Sequence, residues 1–137
     1  MSAENYAARA SENHDKGYNC AQSVFLAFAE DMGIPEKEAA HLMQGFGGGM
    51  GGLGEACGAL SGAVAAFRML SDVLKPGDNE AKEAFYDKVK ALGEAFRAEA
   101  GGTRCSELKD ADPELKKIRC CGYMKLAAKL TAEALEK

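Results

Sequence analysis

The stretch Gly45-Phe-Gly-Gly-Gly-Met-Gly-Gly-Leu-Gly54 decides between two folds. Its second half, Gly49-Met-Gly-Gly-Leu-Gly54, satisfies the letters of the dinucleotide fingerprint G-x-G-x-x-G, which would place the chain among the α/β folds. That fingerprint has a mechanism only when a strand feeds the turn inside a βαβ unit. Here the preceding residues, from Pro35 through His41 and Leu42 to about Gln44, read as a helix opened by proline in its first turn. Strand signals are nearly absent throughout, because Val, Ile and Thr are few and scattered and no run alternates for long with period two. The segment is therefore a glycine-rich loop between helices, and the chain also lacks the Gly-Lys-Ser/Thr ending of a phosphate-binding loop.

Helical patterns extend on both sides of it. Upstream, Ala3 to Asp15 forms one helix closed by Gly17, and Asn19 caps a second with Ala21, Val24, Phe25, Phe28 and Met32 at three- and four-residue spacing before Gly33. Downstream, an apolar helix is expected from about Glu55 to Leu74, ended by Lys75-Pro76-Gly77. Asp78 or Asn79 caps an amphipathic helix whose stripe is Ala81, Phe85, Val89, Leu92 and Phe96, stopped by Gly101-Gly102. Thr103 begins a short turn through Cys105 and Leu108. After Asp112-Pro113 a last helical region carries Ile118, Tyr123, Leu126, Leu130 and Leu135, with a break expected near Gly122. The expectation is an all-α, single-domain bundle of five to seven helices over residues 1–137, with the glycine loop before the central helix.

Composition narrows the function. Of 137 residues, 47% are hydrophobic and 28% charged, an ordinary globular balance. The net charge of −4 argues against nucleic acid as a partner, since phosphate neutralisation needs a concentrated Lys/Arg surface. The longest uncharged apolar stretch, Ala56 to Phe67, is well short of the roughly 18 residues of a membrane span, so no membrane insertion is expected. Met1 is followed by no basic and apolar leader, so the expected location is cytoplasmic. Two oddities remain: nine of the sixteen glycines fall between Gly45 and Gly62, and five cysteines occur in a chain expected to stay in a reducing compartment.

Gly54, Gly58 and Gly62 recur every four residues, so on a helix they make a stripe that lets another backbone approach closely. The loop glycines before them can present backbone N–H groups to an anionic group. The cysteines are Cys20, Cys57, Cys105, Cys120 and Cys121, with no pair at C-x-x-C spacing, so any shared site must be assembled by the fold. Cys20, Cys57, Cys105 and, if the last helix restarts near Gly122, Cys120 would each sit near a helix N-terminus. There the partial positive charge and free N–H groups favour thiolate, and Arg104 and Arg119 precede two of them.

Gly17-Tyr-Asn-Cys-Ala-Gln-Ser-Val24, Gly45-Phe-Gly-Gly-Gly-Met-Gly51, Cys57-Gly-Ala-Leu-Ser-Gly62, Cys105-Ser-Glu-Leu108 and the late Cys120 together resemble the C_GCAxxG_C_C family of redox-active proteins. The resemblance covers nearly the whole chain. It implies a redox role, and the related domain of split-Soret cytochromes, associated with an iron–sulfur centre, implies a [2Fe–2S] or [4Fe–4S] cluster. Carried across by motif, the ligands would be Cys20, Cys57, Cys105 and Cys120, the last chosen because it places Tyr123 and Ala127 at offsets +3 and +7, with Cys121 as a substitute. On this reading Phe46, Met50 and Leu53 would shield the site.

Three alternatives stay open. One is thiol–disulfide exchange, with Cys57 attacking and Cys20, Cys105 or Cys120 as its partner; another is a structural zinc site, disfavoured by the missing paired ligands. The third is a module whose glycine stripe builds a homodimer. His14 is expected to be solvated and His41 partly buried. No hydrolase triad or acid/base carboxylate pair is visible, so no turnover reaction is assigned; a redox partner protein is implied but not identified.

Overall fold

A computed structural model describes residues 2–108 and 113–136; the side chains of residues 113–119 lie outside the described part. The described residues are mainly helical and contain no strand, only one isolated antiparallel bridge between Ala56 and Arg104. The helices are α1 (Ala3–Asp15), α2 (Cys20–Leu26), α3 (Ala29–Met32), α4 (Glu36–Met43), α5 (Gly47–Met50), α6 (Gly58–Met69), α7 (Asn79–Ala100), α8 (Cys105–Leu108) and α9 (Pro113–Leu135), with a 3₁₀ turn at Gln44–Phe46. Single turns such as α3, α5 and α8 carry the count above the five to seven expected. None of the described helices is long and apolar enough to cross a membrane.

The sequence signals act where expected at most ends. Asp78 accepts the Ala81 N–H at 3.0 Å and starts α7, and Gly101, at φ +96°, closes it in the left-handed conformation open to glycine. Pro35, however, occupies the cap of α4 with ψ 145° rather than its first turn. The helix expected from Asn19 to Met32 is broken at Phe28, whose backbone leaves the helical region while its side chain becomes fully buried and stacks on Tyr6 at 4.3 Å. Burying a phenyl ring outweighs one lost helical hydrogen bond. Nor does α9 break at Gly122: it runs unbroken along α1 and α6, and packing there overrides the roughly 1 kcal/mol that an interior glycine costs.

The core is one cluster led by Val24, Phe25, Phe28, Phe96 and Met124, with many alanines between helices. α6 is shorter than the expected Glu55–Leu74, and this changes the glycine stripe. Gly54 lies outside the helix, at φ +74° beside Ser106. Gly58 and Gly62 face α2: a methyl group at Gly62 would fall 2.5 Å from the Ala21 carbonyl oxygen and 3.3 Å from the Phe25 nitrogen. The stripe is thus covered by a helix of the same chain, which removes it as a dimer surface.

Candidate functional site

The site is assembled from four segments. Asn19 takes an extended conformation and makes a capping box: its Oδ1 accepts the Gln22 N–H at 2.9 Å, and Gln22 Oε1 accepts the Asn19 N–H at 3.0 Å. Cys20 is the first residue of the helix so fixed, and its Sγ lies directly over Gly58, where any Cβ would collide with it. The N-terminus of α6 therefore comes within reach of Cys20 only because residue 58 has no side chain.

A backbone clasp brings in the second and third segments. The N–H of Cys57 donates to the Thr103 carbonyl at 2.8 Å, that of Cys105 to Glu55 at 2.6 Å, and that of Ser106 to Gly54 at 3.1 Å. The glycine turn backs this clasp. Gly49, at φ +71°, would bring a Cβ within 2.6 Å of Cys105 Cβ and 2.7 Å of the Glu55 nitrogen, so both its conformation and its surroundings demand glycine. The N–H groups of Gly54 and Glu55 donate to the carbonyls of Gly48 and Gly49 at 3.2 and 2.9 Å. These two bonds hold the turn itself together.

Cys20, Cys57, Cys105 and Cys120 line one cavity of about 30 Å³, together with Gly58, Ala59, Leu108 and Tyr123. Cys121 is turned elsewhere. Its Sγ lies 3.6 Å from Ser11 Oγ on α1, as the 100° step between neighbours on a helix requires when Cys120 faces the cavity. Cys120 lies in the interior of α9, seven residues beyond Pro113, so the expected helix-terminal setting applies to Cys20, Cys57 and Cys105 and not to it. Met50 and Leu53, expected as shields, are 45% and 73% exposed and absent from the lining; Leu108 and Tyr123, which sequence reasoning did not place there, supply the apolar wall. A larger cavity of about 460 Å³ between α6, α7 and α9 contains no cysteine or histidine.

Electrostatics correct another expectation. Cys57 is 7% exposed, and burial pushes its thiol up to about 11. The N–H groups of Leu60 and Ala59 at the start of α6 act in the opposite direction, and proximity to Cys20 and Cys105 raises the thiol further. The helix terminus stabilises the thiolate, but desolvation wins. Arg104 is engaged at the surface, 3.5 Å from Glu55, while the Arg119 side chain lies outside the described residues. His41 is exposed rather than partly buried, its Nδ1 2.7 Å from the Lys37 carbonyl oxygen, and the half-buried His14 Nδ1 sits 3.2 Å from that of Tyr18. Neither belongs to the cavity.

The helices and this cavity define an all-α protein that gathers four cysteines from four separate segments. The chain belongs to the C_GCAxxG_C_C family, whose description reads "Putative redox-active protein (C_GCAxxG_C_C)" and whose model matches residues 18–134. It is similar to an uncharacterized protein of Archaeoglobus fulgidus, 29% identical over 147 aligned positions that span 98% of this chain and 95% of that one. No solved structure matches the chain.

Proposed function

We propose that this redox-active protein holds an iron–sulfur cluster through Cys20, Cys57, Cys105 and Cys120 and serves in electron transfer. The observation that carries the reading is the convergence of these four side chains, from α2, the α6 cap, α8 and α9, on one cavity. The donor chemistry fits, since four thiolates are the usual ligand set of both cluster types and, among the described residues, no histidine or carboxylate lines the cavity. Among the described residues no three His, Cys, Asp or Glu side chains are set to hold a single ion, the arrangement a closed zinc site needs. Cluster ligands are shared among several irons and need not converge on one point. Space is tighter: about 30 Å³ is room for one or two waters, so seating a cluster requires the thiols to turn outward. Cys20, Cys105 and Cys120 are only half-buried.

When bound, such a cluster supplies reversible one-electron chemistry. The chain's own residues orient and insulate it. The clasp fixes Cys57 and Cys105, Gly58 admits Cys20, and Leu108, Ala59 and Tyr123 limit water. Thiol–disulfide exchange between Cys57 and Cys20 is the second reading, favoured by the seat of Cys20 Sγ on the residue next to Cys57. Its weakness is the buried, raised Cys57 thiol, a poor nucleophile at neutral pH.

The test is anaerobic reconstitution with ferrous iron and sulfide, followed by an optical spectrum and iron and sulfide analysis. Stoichiometric iron and sulfide with charge-transfer bands, lost in Cys120→Ser and retained in Cys121→Ser, is the expected result. A colourless, iron-free protein that forms a reversible disulfide between Cys57 and Cys20 would establish the exchange reading instead.

A further inference from the structure

We propose that Asn19 is a positioning residue for Cys20: its side-chain amide ties the start of α2 to the glycine turn and thereby sets the exposure and reactivity of the Cys20 thiol. The inference rests on the reading that Cys20 is a site thiol. Asn19 does more than cap. While Oδ1 accepts from Gln22, Nδ2 reaches across to donate to the Gln44 carbonyl at 2.9 Å, a bond between residues 25 apart in sequence. The turn in return closes on the amide: a Cβ at Gly47 would fall 2.5 Å from Asn19 Nδ2 and 2.6 Å from its Cγ. Gly47 has φ −66°, which any residue adopts, so glycine is required there by the Asn19 side chain and not by the backbone.

The same turn carries Gly49, packed on Cys105, and the hydrogen bonds to Gly54 and Glu55 that continue into the clasp. Asn19 thus links the segment holding Cys20 to the one holding Cys57 and Cys105. A residue acting only as a helix cap would need Oδ1 alone, and serine supplies that acceptor about as well. The Nδ2 bond to Gln44 adds the tether.

The experiment is timed alkylation of the metal-free protein with iodoacetamide, each cysteine quantified by peptide mass, in wild type, Asn19→Ser, Gly47→Ala and the double variant. Asn19→Ser keeps a cap and loses the tether; Gly47→Ala pushes the amide away from the other side. Each single variant is expected to raise the Cys20 rate about fivefold, the scale of one net hydrogen bond, with Cys121 unchanged. The double variant should show little further increase, because the tether is already gone. An unchanged Cys20, a common acceleration of all cysteines, or singles whose effects multiply would each overturn the assignment. Should Asn19→Ser not fold, Gly47→Ala carries the same test. No metal is present, so the result is independent of whether the reconstituted protein holds iron.

Discussion

Adding one methyl group should have opposite signs at two helical glycines, Gly62 and Gly93. At Gly93 on α7 a Cβ meets nothing within 4 Å, so Gly93→Ala gains helix propensity alone, about 0.5–1 kcal/mol. At Gly62 the same gain is opposed by contact. The added Cβ would stand 2.5 Å from the Ala21 carbonyl oxygen, 3.2 Å from Val24 Cβ and 3.3 Å from the Phe25 nitrogen. An ordinary carbon–oxygen contact is nearer 3.4 Å, and two of these atoms are backbone, so no rotamer change relieves the clash: α2 must move by nearly 1 Å as a unit. Overpacking of this kind costs typically 1–3 kcal/mol, towards the upper end when backbone must yield. The net expectation for Gly62→Ala is a loss of about 1–2 kcal/mol, read as a lower denaturation midpoint in urea with an unchanged slope. α2 begins at Cys20, so its displacement should also increase Cys20 alkylation while Gly93→Ala leaves it alone. A Gly62→Ala protein as stable as Gly93→Ala would refute the packing argument.

In the metal-free protein the raised Cys57 thiol adds a pH dependence. The unfolded chain releases this proton near 9 and the folded chain near 11, so the contribution to stability is complete below about pH 9 and is lost as pH rises towards 11. The full loss is about 2–3 kcal/mol; denaturation at pH 8, 9.5 and 10.5 should show it in wild type and not in Cys57→Ala. Uptake of iron must displace thiol protons, so loading should release acid and strengthen between pH 7 and 9; proton release measured in weak buffer checks this, and uptake indifferent to pH would contradict thiolate ligation. Met50 has the single positive φ, +70°, among the described non-glycine residues and is nearly half exposed, so Met50→Gly should leave stability level or raise it by up to about 1 kcal/mol in thermal unfolding.

Periodicity located the helices because each buries one face. It recovered Ala3–Asp15 residue for residue and α7 between its Asp78 cap and Gly101. Where it erred, tertiary packing or chain pairing prevailed. The stretch after Gly54 looks helical from Glu55, but Gly54, Glu55 and Cys57 are held to Ser106, Cys105 and Thr103 by backbone bonds between distant segments, and no local pattern announces that. Gly54 and Gly58 look equivalent in a four-residue spacing and have different tasks, one at positive φ beside Ser106 and one beneath Cys20 Sγ. The cysteines were visible as a set, whereas the choice between Cys120 and Cys121 turns on the rotation of α9 against α1, which places Cys121 at Ser11. Tyr123 and Leu108 carry a weak signal, one turn beyond Cys120 and Cys105; Met50 and Leu53 are apolar yet exposed, because apolar character alone does not dictate burial.

The same rotation and the same clasp set up an electrostatic conflict. Three thiols are placed at or next to helix starts, where backbone N–H groups favour the thiolate, yet at Cys57 burial and the neighbouring Cys20 and Cys105 outweigh those donors. Among the described side chains no lysine or arginine lines the cavity, and Arg104 is engaged with Glu55 outside it. If proximity had served nucleophilic attack, a fixed cation or histidine beside the attacking sulfur would be the economical device, because it lowers the pKa of one thiol without requiring others nearby. At Cys57 the surroundings do the reverse: burial, with Cys20 and Cys105 nearby, makes this thiol harder to ionise. A set of thiols so placed gains stability as thiolates only when a multiply charged cation lies among them, and the more sulfurs it has the larger that gain becomes. The burial that makes Cys57 a poor free nucleophile is what the proposed iron–sulfur reading expects of a ligand rather than of an attacking thiol.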